Sequence, residues 1–260
     1  MNIFDSLNSR KSIRKYTNER IDFNILNEII DYANNLTGLF ENIDVEFHII
    51  ENTNKFKSFG FFNIKAPYYL CISSVNSDDS NINAGYLMQQ ISLYLSTIGL
   101  GSCIISTPIP KHLEQPDFKY EYITALAFGY TNEDLFRDKI DSVRLSEDKV
   151  VYYKMDVSRD IKEIINAARL SPSYLNNQPW KFIVYQNRIH LFVKKSPVIN
   201  MHHNKYRMLD IGTALANLLI AAEEYWINTS ITKLEALKDK PFKQNDYVLT
   251  VLIDTNVHCI

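Results

Sequence analysis

Residues 171–180 read Ser-Pro-Ser-Tyr-Leu-Asn-Asn-Gln-Pro-Trp, and this run is the first place where residue type and spacing suggest chemistry. Pro172 and Pro179 drive Ser171 and Gln178 out of the helical region. Between them Ser173, Tyr174, Asn176, Asn177 and Gln178 offer hydrogen-bonding side chains with no formal charge. Primary amides donate and accept together, so the run suits a neutral, flat ligand that carries both functions. Ser, Pro and Asn also gather in loops that bind nothing. Composition alone leaves both readings open.

A second candidate is Arg10-Lys11-Ser12-Ile13-Arg14-Lys15-Tyr16. If this segment is extended, a period of two places Arg10, Ser12 and Arg14 on one side and Lys11, Ile13 and Lys15 on the other. Two guanidiniums and a hydroxyl on one side make a dianion site, because the guanidinium fork matches phosphate. A solvated basic stretch at a helix end is the plainer alternative.

Other constellations point away from chemistry. No Ser-His-Asp or Cys-His arrangement is visible, so no dedicated catalytic acid, base or nucleophile is expected. His202-His203 and His190 lack ligand spacing, and no metal is expected; a polar loop suits them better. There is no Gly-x-Gly-x-x-Gly and no Gly-x-x-x-x-Gly-Lys-Ser/Thr among the seven glycines, which disfavours Rossmann and P-loop nucleotide sites. The 16 Tyr and 14 Phe lie among apolar positions, which reads as core rather than as a base-stacking surface. Lys194-Lys195 reads as a solvated strand end.

The composition is that of a globular chain. Its 260 residues are 46% hydrophobic and 22% charged, enough to bury a sizeable core in one large or two small domains. A net charge of −2, with no basic face or tail, argues against nucleic acid or a membrane surface as partner. No apolar run approaches the ~20 residues of a membrane span, and residues 1–10 lack a signal-peptide apolar region. Cys71, Cys103 and Cys259 form no Cys-x-x-Cys pair and read as reduced thiols of a cytoplasmic protein.

The elements that must position these residues follow from periodicity. Helices are expected over 2–9, 21–36, 83–98, 160–170 and 208–226, where apolar residues recur at helical spacing. Strands are expected over 45–50, 66–72, 123–128, 180–185, 189–193 and 247–253. From about residue 155 the order of helix, strand pair, long helix and final strand repeats. The long helices align with Gly85 over Gly212 and Leu87-Met88 over Ala214-Leu215. A pattern seen twice is a domain duplication rather than a solenoid. The expected fold is α+β, with mixed sheets flanked by helices, in halves of residues 1–150 and 151–260.

Ala167-Ala168-Arg169-Leu170-Ser171-Pro172-Ser173-Tyr174-Leu175-Asn176-Asn177-Gln178-Pro179-Trp180-Lys181-Phe182 resembles the second signature of the nitroreductase superfamily, Ala-Ala-Arg-x-Ala-Pro-Ser-x-x-Asn-x-Gln-Pro-Trp-x-Phe. Residues 9–16 resemble its first signature, Arg-Arg-Ser-x-Arg-x-Phe/Tyr. Gly99-Leu100-Gly101-Ser102-Cys103 is similar to its Gly-Leu-Gly-Thr-Cys, and Gly129-Tyr130-Thr131-Asn132-Glu133 to its Gly-Tyr-Pro-x-Glu, with Thr131 replacing Pro. The resemblance covers nearly the whole chain and points to the internally duplicated branch.

Several expectations follow from the resemblance. FMN is the cofactor, taking a hydride at N5 from NADH or NADPH and passing electrons to a quinone or nitroaromatic acceptor. Arg10, Lys11, Ser12 and Arg14 hold its phosphate and ribityl chain. Arg144 in Ser142-Val143-Arg144 is a third phosphate ligand, with Ser142 standing where relatives carry Lys. Pro172, Ser173, Tyr174, Asn176 and Gln178 form the amide loop, and Asn176, Gln178 and Lys11 are candidates for the flavin N1–O2 edge. A backbone N–H of Ser106 or Thr107 faces N5, although the usual Glu/Gly pair is absent there.

The first half lacks the amide loop and the second lacks the basic segment. The chain thus resembles a homodimer fused into one polypeptide, with one FMN between the halves, and a monomer suffices. Residues 56–63 and 202–207 would select the acceptor. The altered positions also leave room for an FMN-binding sensor or storage protein without turnover.

Overall fold

A computed structural model describes residues 2–52, 64–105, 109, 116–138, 141–195 and 201–254, with 201–203 described by backbone alone. The chain divides into two compact units, Met1–Ser142 and Val143–Ile260. Residues 143–150, assigned on sequence to the first half, therefore belong with the second.

In the first unit, α1 (Ile3–Ser9) starts at a capping box. The Asn2 side chain accepts from the Asp5 N–H at 2.7 Å, and Asp5 accepts from the Asn2 N–H at 3.3 Å, so two orphan donors of the first turn are satisfied. α2 (Phe23–Asn35) starts at Asp22, whose carboxylate accepts from the Asn24 N–H. After β1 (Val45–Glu51) and β2 (Tyr68–Ser74) comes α3 (Ser80–Thr97), then β3 (Gly101–Ile105) and β4 (Glu121–Gly129). The four strands are antiparallel in the order β1-β2-β4-β3. β2 is buried at every residue, as a central strand covered on both faces must be. It begins two residues later than the apolar run, because Pro67 has no N–H for the ladder; its carbonyl instead accepts from the Asn52 N–H.

In the second unit, α4 (Glu147–Val150) leads into β5 (Val151–Tyr153), α5 (Arg159–Arg169), β6 (Trp180–Val184), β7 (Arg188–Lys194), α6 (Met201–Glu224), β8 (Thr229–Thr232), α7 (Glu235–Lys238) and β9 (Asn245–Ile253). α5 is capped by the Ser158 hydroxyl and buries Ile161, Ile164, Ile165 and Ala168, the stripe that its sequence spacing predicts. The sheet order is β5-β6-β7-β9-β8, and the β5–β6 pair is parallel while the others are antiparallel.

With β5 set aside, β6-β7-β9-β8 repeats the order β1-β2-β4-β3, and α5 and α6 occupy the chain positions of α2 and α3. The α+β duplication read from the sequence is therefore present in the strand topology. Sequence periodicity did not reveal β3, β5 or β8: β5 and β8 are three and four residues long, too short to show a period, and β3 opens on Gly101-Ser102, which leaves only Cys103–Ile105 to carry one.

Candidate functional site

The basic segment of the first unit leaves α1 at Arg10, whose N–H caps the helix on the Ser6 carbonyl at 2.7 Å. It then runs beside β3: the Ile13 N–H donates to the Ser102 carbonyl at 2.9 Å, and Ile13 is 1% exposed. Gly101 makes this approach possible, because a Cβ there would stand 2.9 Å from three Ile13 side-chain atoms. The Tyr16 hydroxyl pins the far end, 2.7 Å from the Ile13 carbonyl and 3.1 Å from that of Ala127.

The side chains of Arg10, Ser12 and Arg14 converge on one group, the Cys103 thiol of β3. Burial pushes that thiol up, while the two arginines and a hydrogen bond with Ser12 oppose the shift. All three are thus felt at one thiol. Arg10 is 9% exposed, and burial lowers its guanidinium to about 10, which leaves it charged at neutral pH. Among the described residues no carboxylate lies within ion-pair distance of it. A buried charge of this kind is costly until an anion meets it. Lys11 is half-buried, and its N–H donates to the Leu135 carbonyl.

The amide loop of the second unit leaves α5 at Leu170 and makes a 3-10 turn over Tyr174–Asn176. Leu175, Asn176 and Gln178 all have positive φ, at 51°, 56° and 46°. For a residue with a Cβ this region costs ~1–2 kcal/mol, and such strain persists only where surrounding structure enforces it. The enforcement is visible. The Ser173 hydroxyl accepts from the Gln178 N–H at 2.9 Å, and Asp210 of α6 accepts from the Tyr174 N–H at 2.9 Å. The Thr213 hydroxyl, also on α6, lies 2.9 Å from the Pro172 carbonyl. Burial pushes the Asp210 carboxyl well above its ordinary range, and the Tyr174 N–H opposes that only partly.

Residues 143–145 complete the frame. The Gln178 side-chain oxygen accepts from the Leu145 N–H at 2.8 Å, and the Asn176 amide donates to the Val143 carbonyl at 3.1 Å. Arg144 donates through Nε to the Arg169 carbonyl at 3.0 Å and through Nη2 to that of Leu170 at 2.7 Å. Its Nη1 lies 3.4 Å from the Asn176 side-chain oxygen. The structure therefore groups Arg144 with Asn176 and Gln178, on the carbonyls that end α5. Leu175, Asn176 and Asn177 are exposed at the loop tip, with Pro172, Ser173 and Tyr174 half-buried behind them.

Ser106 and Thr107 lie outside the described residues, as do residues 56–63 and the side chains of His202 and His203. Cys71 and Cys103 are free and buried; Cys259 is outside the described residues. Two further residues, Asp210 under the loop and Arg137 beside Arg10, carry no sequence signal. Both are brought to their sites by contacts distant in the chain. Among the described residues there is no group of His, Cys, Asp and Glu that could hold a metal, and no helix long and apolar enough to cross a membrane.

Comparison with known proteins bears on what these parts are for. Residues 2–222, most of the chain, match the family model described as "Putative TM nitroreductase". The chain belongs to this nitroreductase family. A solved structure described as "a putative nitroreductase", from Thermotoga maritima, has the same fold. It superposes with a TM-score of 0.65 over 97% of this chain and 93% of its own, at 18% identity. A solved structure described as an FMN-dependent nitroreductase, from Clostridium difficile, covers 56% of this chain and 95% of its own with a TM-score of 0.43 at 23% identity. No curated protein matches the sequence.

The residues present fit the phosphate of a flavin mononucleotide. Arg10 is a buried cation with no carboxylate within ion-pair distance among the described residues, and Arg14 and the Ser12 hydroxyl act with it on the same thiol, Cys103.

Proposed function

We propose that the protein is an FMN-dependent NAD(P)H oxidoreductase of the nitroreductase type. The observation that carries this is the buried guanidinium of Arg10, which has no carboxylate within ion-pair distance among the described residues, on the segment that resembles the superfamily's first signature. When bound, FMN supplies the redox chemistry: it takes a hydride from NADH or NADPH and delivers two electrons to a quinone or nitroaromatic acceptor.

The chain supplies binding and orientation. Arg10 and Arg14 hold the phosphate, Lys11 and Ser12 lie beside them, and Gly101 keeps the segment seated against β3. Pro172, Ser173 and Tyr174 present the loop backbone to the ring system, while Asn176 and Gln178 fix the loop's shape through residues 143–145. No side chain is assigned as acid or base. The expected stoichiometry is one FMN per chain, since the basic segment and the amide loop each occur once in the sequence.

Visible spectroscopy of the purified protein, reconstituted with FMN, tests this reading. A bound flavin band at one equivalent per chain, bleached anaerobically by NADH or NADPH and restored by a quinone, is the expected result. Parallel double-reciprocal plots are expected in steady state, because donor and acceptor use the flavin in turn. A flavin band that neither nicotinamide bleaches would favour a non-catalytic FMN sensor or store. A protein that takes up no flavin would refute both.

A further inference from the structure

We propose that Arg137 is a phosphate ligand that sets the preference of this protein for a phosphorylated over an unphosphorylated flavin. The inference rests on the FMN reading above and concerns a residue outside the recognisable motifs.

Two chain segments of the first unit lie side by side. Arg10 bridges Phe136 in antiparallel fashion, the Arg137 N–H donates to the Ser9 carbonyl at 2.8 Å, and the Lys11 N–H donates to the Leu135 carbonyl at 3.3 Å. This pairing sets Arg137 one residue from Arg10 across the two segments, although 127 positions separate them in the chain (137 − 10). Each is close enough to influence its neighbours electrostatically: Arg10 is disfavoured by the charges of Arg137 and Arg14, and Arg137 is favoured by Asp141. Burial is the largest cost for both guanidiniums.

Geometry gives the missing partner its chemistry. The Nε of Arg137 is buried and has no hydrogen-bond partner among the described residues. Asp141 lies near enough to be felt, yet no ion pair joins it to Arg137 among the described residues. A buried N–H left unsatisfied costs about 1–3 kcal/mol. Two guanidiniums that repel each other, one with an orphaned Nε–H, are relieved together by a single group. That group must be anionic and must present several acceptor oxygens, as a phosphate dianion does. A neutral ligand would satisfy the N–H and leave the repulsion. Arg144 is not an equivalent candidate, because its Nε, Nη1 and Nη2 donate to carbonyls and to Asn176 within the second unit.

Equilibrium titrations with FMN and with riboflavin, followed by flavin fluorescence, separate the phosphate contribution from that of the ring. Wild type is expected to bind FMN much more tightly than riboflavin. Arg137→Gln should weaken FMN by about tenfold to a hundredfold and leave riboflavin unchanged, as expected when one charge-assisted contact is lost. Arg137→Lys keeps the charge but not the Nε–H fork, and should retain part of the preference. An FMN-to-riboflavin ratio in Arg137→Gln equal to wild type overturns the assignment. If that variant does not fold, a wild-type ratio in Arg137→Lys overturns it instead. Wild-type protein that binds neither flavin refutes the FMN reading itself, a result distinct from either variant outcome.

Discussion

Arg144→Ala tests how the strained amide loop is held. Two of the bonds it removes are partly buried, from Nε to the Arg169 carbonyl at 3.0 Å and from Nη2 to the Leu170 carbonyl at 2.7 Å. The others, to Val143 and Asn176, are on the exposed side and exchange readily with water. Charged donors contribute ~1.5–3 kcal/mol per bond, so the buried pair sets a ceiling of roughly 3–6 kcal/mol. Water reaches part of the site and rehydrates the freed carbonyls, and the expected loss is ~2–4 kcal/mol.

The assay exploits an accident of composition. Both tryptophans of the chain, Trp180 and Trp226, lie in the second unit. Trp180 is 0% exposed and Trp226 is 91% exposed, so the emission shift on unfolding comes from Trp180 and reports on this unit alone. With a urea slope of ~2 kcal/mol/M, the middle of the usual range, the midpoint of Arg144→Ala should fall by about 1–2 M. Arg144→Lys should fall by less, since one ammonium reaches one carbonyl but does not span two. An unchanged midpoint for Arg144→Ala would show that these hydrogen bonds do not hold the loop, and the argument for an enforced loop would fail with it.

Further outcomes follow from other contacts. Gly101→Ala should destabilise the first unit by ~1–3 kcal/mol through overpacking against Ile13, and should weaken FMN as well because the basic segment is displaced; thermal unfolding by circular dichroism that matches wild type would contradict this. Asp210 has a raised carboxyl in the folded state, so its stabilising contribution is complete below the ordinary carboxylate range and is lost as pH rises through the folded value. Asp210→Asn keeps an acceptor for the Tyr174 N–H and removes the titration, so its stability relative to wild type should grow with pH; a difference independent of pH would exclude this account. Arg14→Ala should weaken FMN by about tenfold to a hundredfold, and an unchanged dissociation constant would remove Arg14 from the site.

Much of this molecule is legible in its sequence, for identifiable reasons. Helices with an apolar stripe, such as α2 and α5, show themselves because burial repeats every three to four residues along one helix face, whereas α6 shows itself as a long apolar run that is buried on all sides over residues 209–218. The basic segment and the amide loop were readable because each is contiguous, so type and spacing alone define it. The duplication was readable because it repeats an order of elements. Tertiary structure decided what depends on neighbours distant in the chain. β3 is a strand because β4 pairs with it, and β5 because β6 does; β5 is too short to show a period, and β3 begins on Gly101-Ser102, which carries no apolar alternation. Arg144 passed from the first half to the second because its guanidinium meets the end of α5, 25 and 26 residues onward. Arg137 stands beside Arg10 only because residues 9–11 pair with 135–137, and Asp210 reaches Tyr174 only because α6 packs beneath the loop. Local spacing encodes contacts within a turn or a strand, and the pairing of separate segments is set by the packing of the whole unit.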